Sequence, residues 1–342
     1  MKLRTASLAL VVLAGACRQK PACARCDTII VAATGEPSSI LPPLVVETVG
    51  RDISDQVYER LADLAPGGAP VDSSAFRPRL ADRWSRVDSL TWRFHLRPGA
   101  RWQDGQPVTA RDVVFSFEAY ADSLLDSPAA GELRGQLTAQ AENDQSVLVR
   151  FSRAYPEQLY DATWHVRIFP AHIWDGVPRE HWADDTTVGR LVGSGPWRVE
   201  SWQRGQALTL VADTSGTPRT ALRRAVWRFA ADPDAALNLV LSHEADLMES
   251  VGAPERVARV EQDSLLKAVR YPSAAFGFLG YRVQGHPLLG DRALRRALNQ
   301  AVDRSTIATA VYGPGAVAPP GPMSKLLWIW DDKTAVLPFD TA

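Results

Sequence analysis

A change of hydrophobic period in the middle of the chain limits the folds that this sequence can adopt. Residues 90–96 alternate between apolar and polar side chains, which is typical of a strand with one buried face, and residues 97–99 (Arg-Pro-Gly) end them in a turn. Thr109 then precedes apolar residues at helical spacing, with Asp112 at the third helical position. This pattern predicts a capped helix over 109–122. The fold must therefore combine strands with helices.

The other periodic segments show the same mixture. Strands are predicted at 28–33, 146–151, 265–271 and 275–281, a hairpin at 197–202 and 207–212, and helices at 52–62, 232–243, 254–263, 290–302 and 304–312. Residues 65–75 are rich in Pro, Gly and Ser, which predicts a loop. Because strands and helices do not alternate strictly, the predicted class is α/β or α+β.

Composition and charge exclude several classes of protein. The 342 residues are 46% hydrophobic and 23% charged, so the chain can bury a sizeable core in about two domains. With a net charge of −1 the chain has no overall positive charge that would attract nucleic acid or an anionic membrane. We therefore expect no nucleic-acid partner. The 11 tryptophans indicate either core packing or a stacking surface for a ligand.

The amino terminus is typical of an exported protein. Residues 1–16 combine a basic start, a short apolar run and small residues before Cys17, which predicts a signal peptide. The apolar run is too short to span a bilayer. Small residues before a cysteine resemble a bacterial lipoprotein signal, so we expect an acylated Cys17, a tether at 17–27 and a lipid-anchored protein of the periplasm or cell envelope. Ala14 stands where such signals usually place Leu, and ordinary secretory cleavage is the alternative.

The cysteines lie at the amino terminus. Cys23 and Cys26 form a C-x-x-C pair, but they lack the helix of a redox motif and the second pair of a zinc site. They are either a small disulfide in the tether or two free thiols. The chain after Asp27 contains no cysteine, which suits an oxidising compartment.

Enzyme motifs are missing from the sequence. There is no H-E-x-x-H, and the six histidines never stand four residues apart, so we expect no metal site. Gly193-Ser194-Gly195 is neither a P-loop nor the nucleophile elbow of an esterase, and it predicts a tight turn. A secreted serine hydrolase using Ser194 is a rival hypothesis, although no histidine or acid stands in a recognisable triad context. We expect no catalytic residue and no cofactor.

Residues 76–118 carry a run of specific motifs. They read Phe76-x-Pro78-x-Leu80-Ala81-x-x-Trp84, then Leu90-Thr91-Trp92-x-Phe94-x-Leu96-Arg97, then Gly99-Ala100-x-Trp102-x-Asp104-Gly105-x-Pro107-Val108-Thr109-Ala110-x-Asp112-Val113-x-Phe115-Ser116. This region resembles the signature region of the family 5 extracellular solute-binding proteins. These are the receptors of peptide/nickel-type ABC importers, and related members bind oligosaccharides, opines or nickel chelates.

Later motifs agree in order with the same family, and the resemblance covers about 28–342. They are Gly193-Ser194-Gly195-Pro196-Trp197, His243-Glu244-Ala245-Asp246-Leu247, Asp291-x-x-Leu294-Arg295-Arg296-Ala297-Leu298-Asn299-x-Ala301-Val302-Asp303-Arg304 and Val311-Tyr312-Gly313-x-Gly315. His243 replaces the glycine that opens the family's Gly-Glu-Ala-Asp-Leu segment. We interpret Trp84, Trp92 and Trp102 as core and turn packing rather than as ligand platforms.

The resemblance implies a mixed α/β (α+β) fold of the two-lobed periplasmic-binding-protein type II, with an extra domain inserted. Residues 28–58 and 191–275 form the first lobe, 59–190 the inserted domain and 276–342 the start of the second lobe. Family members continue for a large further segment, so the resemblance implies an incomplete second lobe. Exposed apolar edges are then expected to favour aggregation.

The function implied is that of a monomeric receptor that closes its lobes on a peptide-like or other small polar solute and delivers it to the permease subunits of an ABC importer. Val46, Glu47 and Thr48 match the cleft-lip segment that contacts ligands in relatives, and a solvated loop carboxylate is the alternative for Glu47. Ala129 stands near the position where oligopeptide-binding members often carry an aromatic residue, which leaves peptide specificity open. The alternatives are an oligosaccharide ligand and a non-binding fragment of a longer receptor.

Overall fold

The computed structural model describes residues 27–214, 221–271, 277–313, 315–319 and 337–341, together with 321, 329 and 333. The predicted signal peptide, Cys17 and the pair Cys23 and Cys26 lie outside the described residues. Within the described part, no helix is long and apolar enough to cross a membrane.

Within the described residues the strands belong to three sheets, of two, four and five strands. They are β1 (Thr28–Thr34), β2 (Ala62–Leu64), β3 (Phe76–Pro78), β4 (Ala81–Arg86), β5 (Thr91–Leu96), β6 (Leu137–Asn143), β7 (Ser146–Phe151), β8 (Trp197–Gln203), β9 (Ala207–Ala212), β10 (Arg224–Ala230) and β11 (Leu247–Met248).

Helices connect and cover these strands. They are α1 (Thr48–Val57), α2 (Ala110–Ala121), α3 (Ala130–Leu133), α4 (Gln158–Trp164), α5 (Ala171–Trp174), α6 (Pro233–Leu241), α7 (Pro254–Glu261), α8 (Arg292–Gln300) and α9 (Arg304–Tyr312). The mixed α/β prediction is confirmed.

The five-stranded sheet combines parallel and antiparallel strands in the order β11-β1-β10-β9-β8. β1 runs parallel to β10 along its whole length and parallel to β11 over two residues. β8 and β9 form the predicted hairpin, whose turn contains Gly205 at φ 74°. Leu208 and Leu210 of β9 are fully buried, which identifies the face of the sheet that packs on the main core.

The four-stranded sheet is antiparallel, in the order β4-β5-β7-β6, and α2 packs against it. The predicted cap of α2 is present, since the Thr109 N–H donates to Asp112 Oδ2 at 2.8 Å. The other oxygen of the same carboxylate accepts from the Ala171 N–H at 2.9 Å. Asp112 therefore joins the start of α2 to the start of α5, which places a buried carboxylate where two helix termini supply N–H donors.

One hydrophobic cluster runs through both of these sheets. Trp102, Trp174 and Trp182 are among its largest fully buried side chains, and Trp84 and Trp92 are half-buried against it. The interpretation of Trp84, Trp92 and Trp102 as packing residues is confirmed. Burial of this size is the main favourable term for folding of the chain.

The structure corrects the prediction for α1. The predicted helix covered 52–62, whereas α1 spans Thr48–Val57 and the chain reaches strand β2 by Ala62. Glu47, at the N-cap position, makes no side-chain capping bond, so the start of this helix carries no capping signal in the sequence. The apolar residues that suggested a later end belong to the buried segment between α1 and β2.

The predicted strands at 265–271 and 275–281 are wrong where the structure describes them. Residues 265–271 and 277–281 form no strand, and 275–276 lie outside the described residues. Leu265 is 80% exposed and Phe278 79%. Apolar alternation is not sufficient for a strand, because its backbone groups also need a neighbouring strand to pair with.

His243 stands where the family motif has glycine, and its backbone conformation leads to a stability prediction. Its φ of 58° lies in the left-handed region, which glycine adopts without strain and other residues do not. We expect His243→Gly to raise the free energy of unfolding by up to about 1 kcal/mol, measured by urea denaturation.

The control for this prediction is His243→Ala, because the imidazole also lies 3.3 Å from the Asp263 carboxylate. Alanine removes the ring but keeps the β-carbon, so it should be less stable than the glycine variant. Equal stability of the two variants would show that φ strain at this position is negligible.

Candidate functional site

The candidate site lies where the parallel strands end. β1, β10 and β11 run in the same direction, so their carboxyl ends meet at one edge of the five-stranded sheet. Ligands of open α/β sheets bind in the crevice outside such an edge. The chain leaves β1 through Gly35, at φ 81°, whose N–H donates to the Ala230 carbonyl at the end of β10. Side chains that follow these strands are therefore the candidates.

Glu36 anchors the segment that follows β1. Its carboxylate accepts from Trp202 Nε1 at 2.7 Å and from the Gly205 N–H at 2.8 Å. The guanidinium of Arg204 lies 3.6 Å from the centre of the Trp202 ring. These contacts tie the loop after β1 to the hairpin turn, so Glu36 has a structural role here.

The predicted cleft-lip residues come next and lead into α1. Both carboxylate oxygens of Glu47 accept from Ser38, one from its N–H and one from its hydroxyl, at 3.2 Å each. Val46 is 62% exposed and Thr48 is also exposed. The structure thus leaves Val46 and Thr48 accessible and holds Glu47 in a loop contact. Ligand contact by the three residues stays a prediction.

Ala129 belongs to a different part of the chain, at the start of α3. Its N–H donates to Ser127 Oγ at 3.3 Å, and its methyl group packs against the core cluster. These contacts are local to the segment before α3. A ligand role for Ala129 also stays a prediction.

Asp52, a half-buried residue of α1, is a residue that the sequence analysis did not identify. Its carboxyl group forms a hydrogen bond with Glu249, which directly follows β11. The pKa of Asp52 is raised from 3.8 to about 7. Burial is the largest cause, the hydrogen bond to Glu249 and the negative charges of Glu249 and Asp55 act in the same direction, and Arg51 opposes them. This hydrogen bond therefore joins α1 to the end of β11.

Asp55, one turn later on α1, lies beside positive charges rather than beside a second carboxyl group. It pairs with Arg60 at 2.9 Å and with Arg167. Arg60 Nε also donates to the Trp164 carbonyl at 3.0 Å. The negative charge of Asp55 is compensated by two guanidinium groups. For Asp52 the lowering effect of Arg51 is smaller than the effects that raise its pKa.

The Gly193-Ser194-Gly195 segment packs against the carboxyl end of α1. The Gly195 N–H donates to the Val57 carbonyl at 2.8 Å, and the side-chain amide of Gln103 bonds to the backbone of Gly193 and Gly195 at 3.0 Å each. Ser194 Oγ is buried and has no hydrogen-bond partner among the described residues. The contacts of this segment are those of a packing turn, as the sequence predicts.

Metal-binding clusters were sought as well. Within residues 27–214 and the later described ranges, no group of three or more His, Cys, Asp and Glu side chains is placed to hold an ion. His172 lies 2.7 Å from Asp104 and His165 lies 3.4 Å from Asp161, each as a single pair.

Comparison with known proteins agrees with this architecture. The sequence profile described as bacterial extracellular solute-binding proteins, family 5 Middle, matches residues 75–342. The dipeptide-binding protein of Escherichia coli is 24% identical over 335 residues, which cover 92% of this chain and 61% of that protein. The chain belongs to the family 5 solute-binding proteins, a family of binding proteins.

Solved structures show the same fold. The oligopeptide-binding protein AppA from Bacillus subtilis, in complex with a nonapeptide, superposes with a TM-score of 0.75 at 22% identity, over 92% of this chain and 61% of that one. NikZ from Campylobacter jejuni, in complex with Ni(L-His), gives 0.74 at 21% identity over the same shares. The chain spans between 43% and 61% of the length of the curated relatives it matches.

The close packing at Gly195 predicts a strong effect of a single methyl group. A β-carbon at this position would lie 2.5 Å from the Gln56 carbonyl oxygen and 2.7 Å from that of Val57. We expect Gly195→Ala to lower the free energy of unfolding by more than about 2 kcal/mol, measured by urea denaturation, because backbone atoms cannot move aside cheaply.

Gly189→Ala is the matched control, since its β-carbon would meet nothing within 4 Å. It should be neutral or slightly stabilising. A Gly195→Ala protein as stable as this control would contradict the proposed packing.

The raised pKa of Asp52 predicts a pH-dependent stability. Between pH 3.8 and about pH 7, Asp52 is deprotonated in the unfolded chain but still protonated in the native state. The native state therefore loses stability as pH rises through this range. Asp52→Asn removes the titratable carboxyl group, and the asparagine NH2 group can still donate a hydrogen bond to Glu249. We expect its melting temperature to exceed that of the wild type at about pH 8, with a gain that shrinks towards about pH 5.

Asp234→Asn is the control, and its expected change in melting temperature has the opposite sign. Asp234 pairs with Arg256 at 3.0 Å, and its hydrogen bond to that guanidinium lowers the pKa of Asp234. This variant should lower the melting temperature at about pH 8. A pH-independent difference between Asp52→Asn and the wild type would contradict the raised pKa of Asp52.

Proposed function

We propose that this chain is an extracytoplasmic solute-binding receptor that binds a peptide-like or other small polar solute and delivers it to the permease of an ABC importer. The observation that carries the proposal is membership of family 5 over residues 75–342, together with relatives that are named for dipeptide and oligopeptide binding. The shared carboxyl edge of β1, β10 and β11 supports it, because ligands of open α/β sheets bind outside such an edge.

The proposed binding mode is closure of two lobes on the ligand, which excludes water while a few polar groups fix its orientation. In this proposal residues 28–58 and 191–275 form the first lobe, 59–190 the inserted domain, and 276–342 belong to the second lobe. Val46, Glu47, Thr48 and Ala129 contact the ligand. The exposure of Val46 and Thr48 at the entrance to α1 supports their part in it.

The proposed setting is the cell envelope. Residues 1–16 act as a signal peptide, and the receptor is anchored through an acylated Cys17 and a tether at 17–27. The protein works as a monomer, with a permease as its membrane partner and without catalysis. The export pattern of the amino terminus supports this setting.

An oligosaccharide ligand is the second candidate. The structure weakens the argument for it. It was suggested by the tryptophan content, but Trp102, Trp174 and Trp182 are fully buried. Their rings contribute to the core and cannot stack on a sugar. The peptide-like ligand is therefore the main proposal.

The proposal predicts a ligand-induced shift of the melting temperature of the full chain. A ligand that binds only the native state at about one hundred times its Kd stabilises it by about 2.7 kcal/mol. We expect upward shifts with di- to pentapeptides and none with cello- or xylo-oligomers, measured by differential scanning fluorimetry.

Each alternative has its own outcome in this screen. Shifts with the sugar oligomers alone would replace the peptide by an oligosaccharide. No shift with either series, for a protein that melts cooperatively, would support the non-binding fragment. Labelling of Ser194 by an active-site serine probe would instead support the hydrolase.

A further inference from the structure

Two residues close the loop that runs from β1 to α1. Ser38 donates both its N–H and its hydroxyl group to the carboxylate of Glu47, one to each oxygen, at 3.2 Å each. Glu47 stands at the N-cap position of α1, yet its side chain makes no capping bond there. The acceptor that could cap the helix therefore ties the loop together instead.

Ser38 belongs to a segment that is itself held in place. Gly50, in the first turn of α1, lies so close to this segment that a β-carbon there would be 2.8 Å from the Ser39 carbonyl oxygen and 3.0 Å from the β-carbon of Pro37. In addition, Nη1 of Arg204 lies 3.5 Å from the Ser38 carbonyl oxygen. The two donors of Ser38 are therefore presented by a backbone that has little freedom to move.

The loop contact lies at the edge of the sheet that carries the candidate site. The Gly35 N–H donates at 2.8 Å to the Ala230 carbonyl, at the carboxyl end of β10, and the chain reaches Ser38 three residues later. The hairpin turn between β8 and β9 is joined to the same end of β10, because the Phe229 N–H donates to the Gln206 carbonyl at 2.9 Å. The loop therefore stands at the shared carboxyl edge of β1 and β10.

The cleft lip, residues 46–48, is an exposed part of this loop. Val46 is 62% exposed, and Thr48 is exposed as well. Glu47 lies between them in the chain, so the bonds of its carboxylate to Ser38 limit the conformations that both neighbours can adopt. A lip that is ordered in advance loses less conformational freedom when a ligand binds.

We propose that Ser38 is a positioning residue of the cleft lip: through its two bonds to Glu47 it holds Val46 and Thr48 in the conformation that meets the ligand. This inference rests on the proposed function. Ser38 does not meet the ligand itself and acts through Glu47. The effects of the two residues on ligand affinity are therefore coupled.

The test is a double-mutant cycle on ligand affinity. Ala-Ala-Ala is titrated by calorimetry into the wild-type full chain, Ser38→Ala, Glu47→Ala and the variant with both changes. We expect Ser38→Ala, which keeps the N–H bond, to bind about threefold more weakly, and Glu47→Ala, which loses both bonds, about tenfold. The double variant should bind no more weakly than Glu47→Ala, because the same contact is already lost.

Two further variants separate positioning from direct contact. Glu47→Gln keeps an oxygen that accepts from Ser38, so it should lose less affinity than Glu47→Ala; an equal loss would assign the effect to the charge of Glu47 and overturn the inference. Ser74→Ala is the matched control, because both donors of Ser74 bond to Asp72, at 2.9 and 2.7 Å, in the loop between β2 and β3. It should bind Ala-Ala-Ala as the wild type does.

The melting temperature separates positioning from a purely structural role. Ligand-free Ser38→Ala should melt at the wild-type temperature, because the contact is exposed. A lower melting temperature with wild-type affinity would identify a structural contact only and overturn the inference.

Failure of the inference and failure of the proposed function give different results. Losses that add in the double variant overturn the positioning role of Ser38 and leave the peptide receptor standing. If the wild type does not bind Ala-Ala-Ala, the peptide receptor proposal is overturned and the positioning role with it.

Discussion

The close approach of two backbones at the end of α1 is the contact on which the rest of the structure depends. Gly193 and Gly195 lie directly against the backbone of residues 56–57, and a β-carbon at either position would overlap it. The amide of Gln103 bonds to both glycines and to the Trp197 carbonyl. The turn after β5, the end of α1 and the start of β8 meet here, so the two larger sheets share one core.

The position of α1 then decides the electrostatics of the candidate site. Asp52 and Asp55 lie one turn apart on the same helix, but their surroundings differ because different segments pack against each turn. Two arginines compensate Asp55, whereas Asp52 meets a second carboxyl group, which contributes to the raised pKa of Asp52. Burial makes this contrast larger, since a charge that leaves water needs a partner of opposite sign.

Local signals account for the parts of the fold that the sequence predicted well. The cap of α2 at Thr109 and the Gly205 turn between β8 and β9 are formed by neighbouring residues, and both are present. The predicted strand at 265–271 failed because pairing depends on a distant segment. The hydrogen bond between Asp52 and Glu249 could not be predicted for the same reason, because it joins two segments that are distant in the sequence. The lip residues Val46 and Thr48 came from a family resemblance, and no spacing rule would have found them.

Burial also determines which part of the described chain presents the candidate site. Val260 of α7 is the last buried hydrophobic residue among those described, and α8 and α9 contain none. The segments that carry Val46, Asp52 and Glu249 all precede that point. Because apolar burial is the dominant favourable term in folding, the described body through α7 has the interactions that hold this surface in shape. Substitutions on the exposed positions of α1 therefore probe a packed surface, in which a changed ligand affinity reports on the side chain itself.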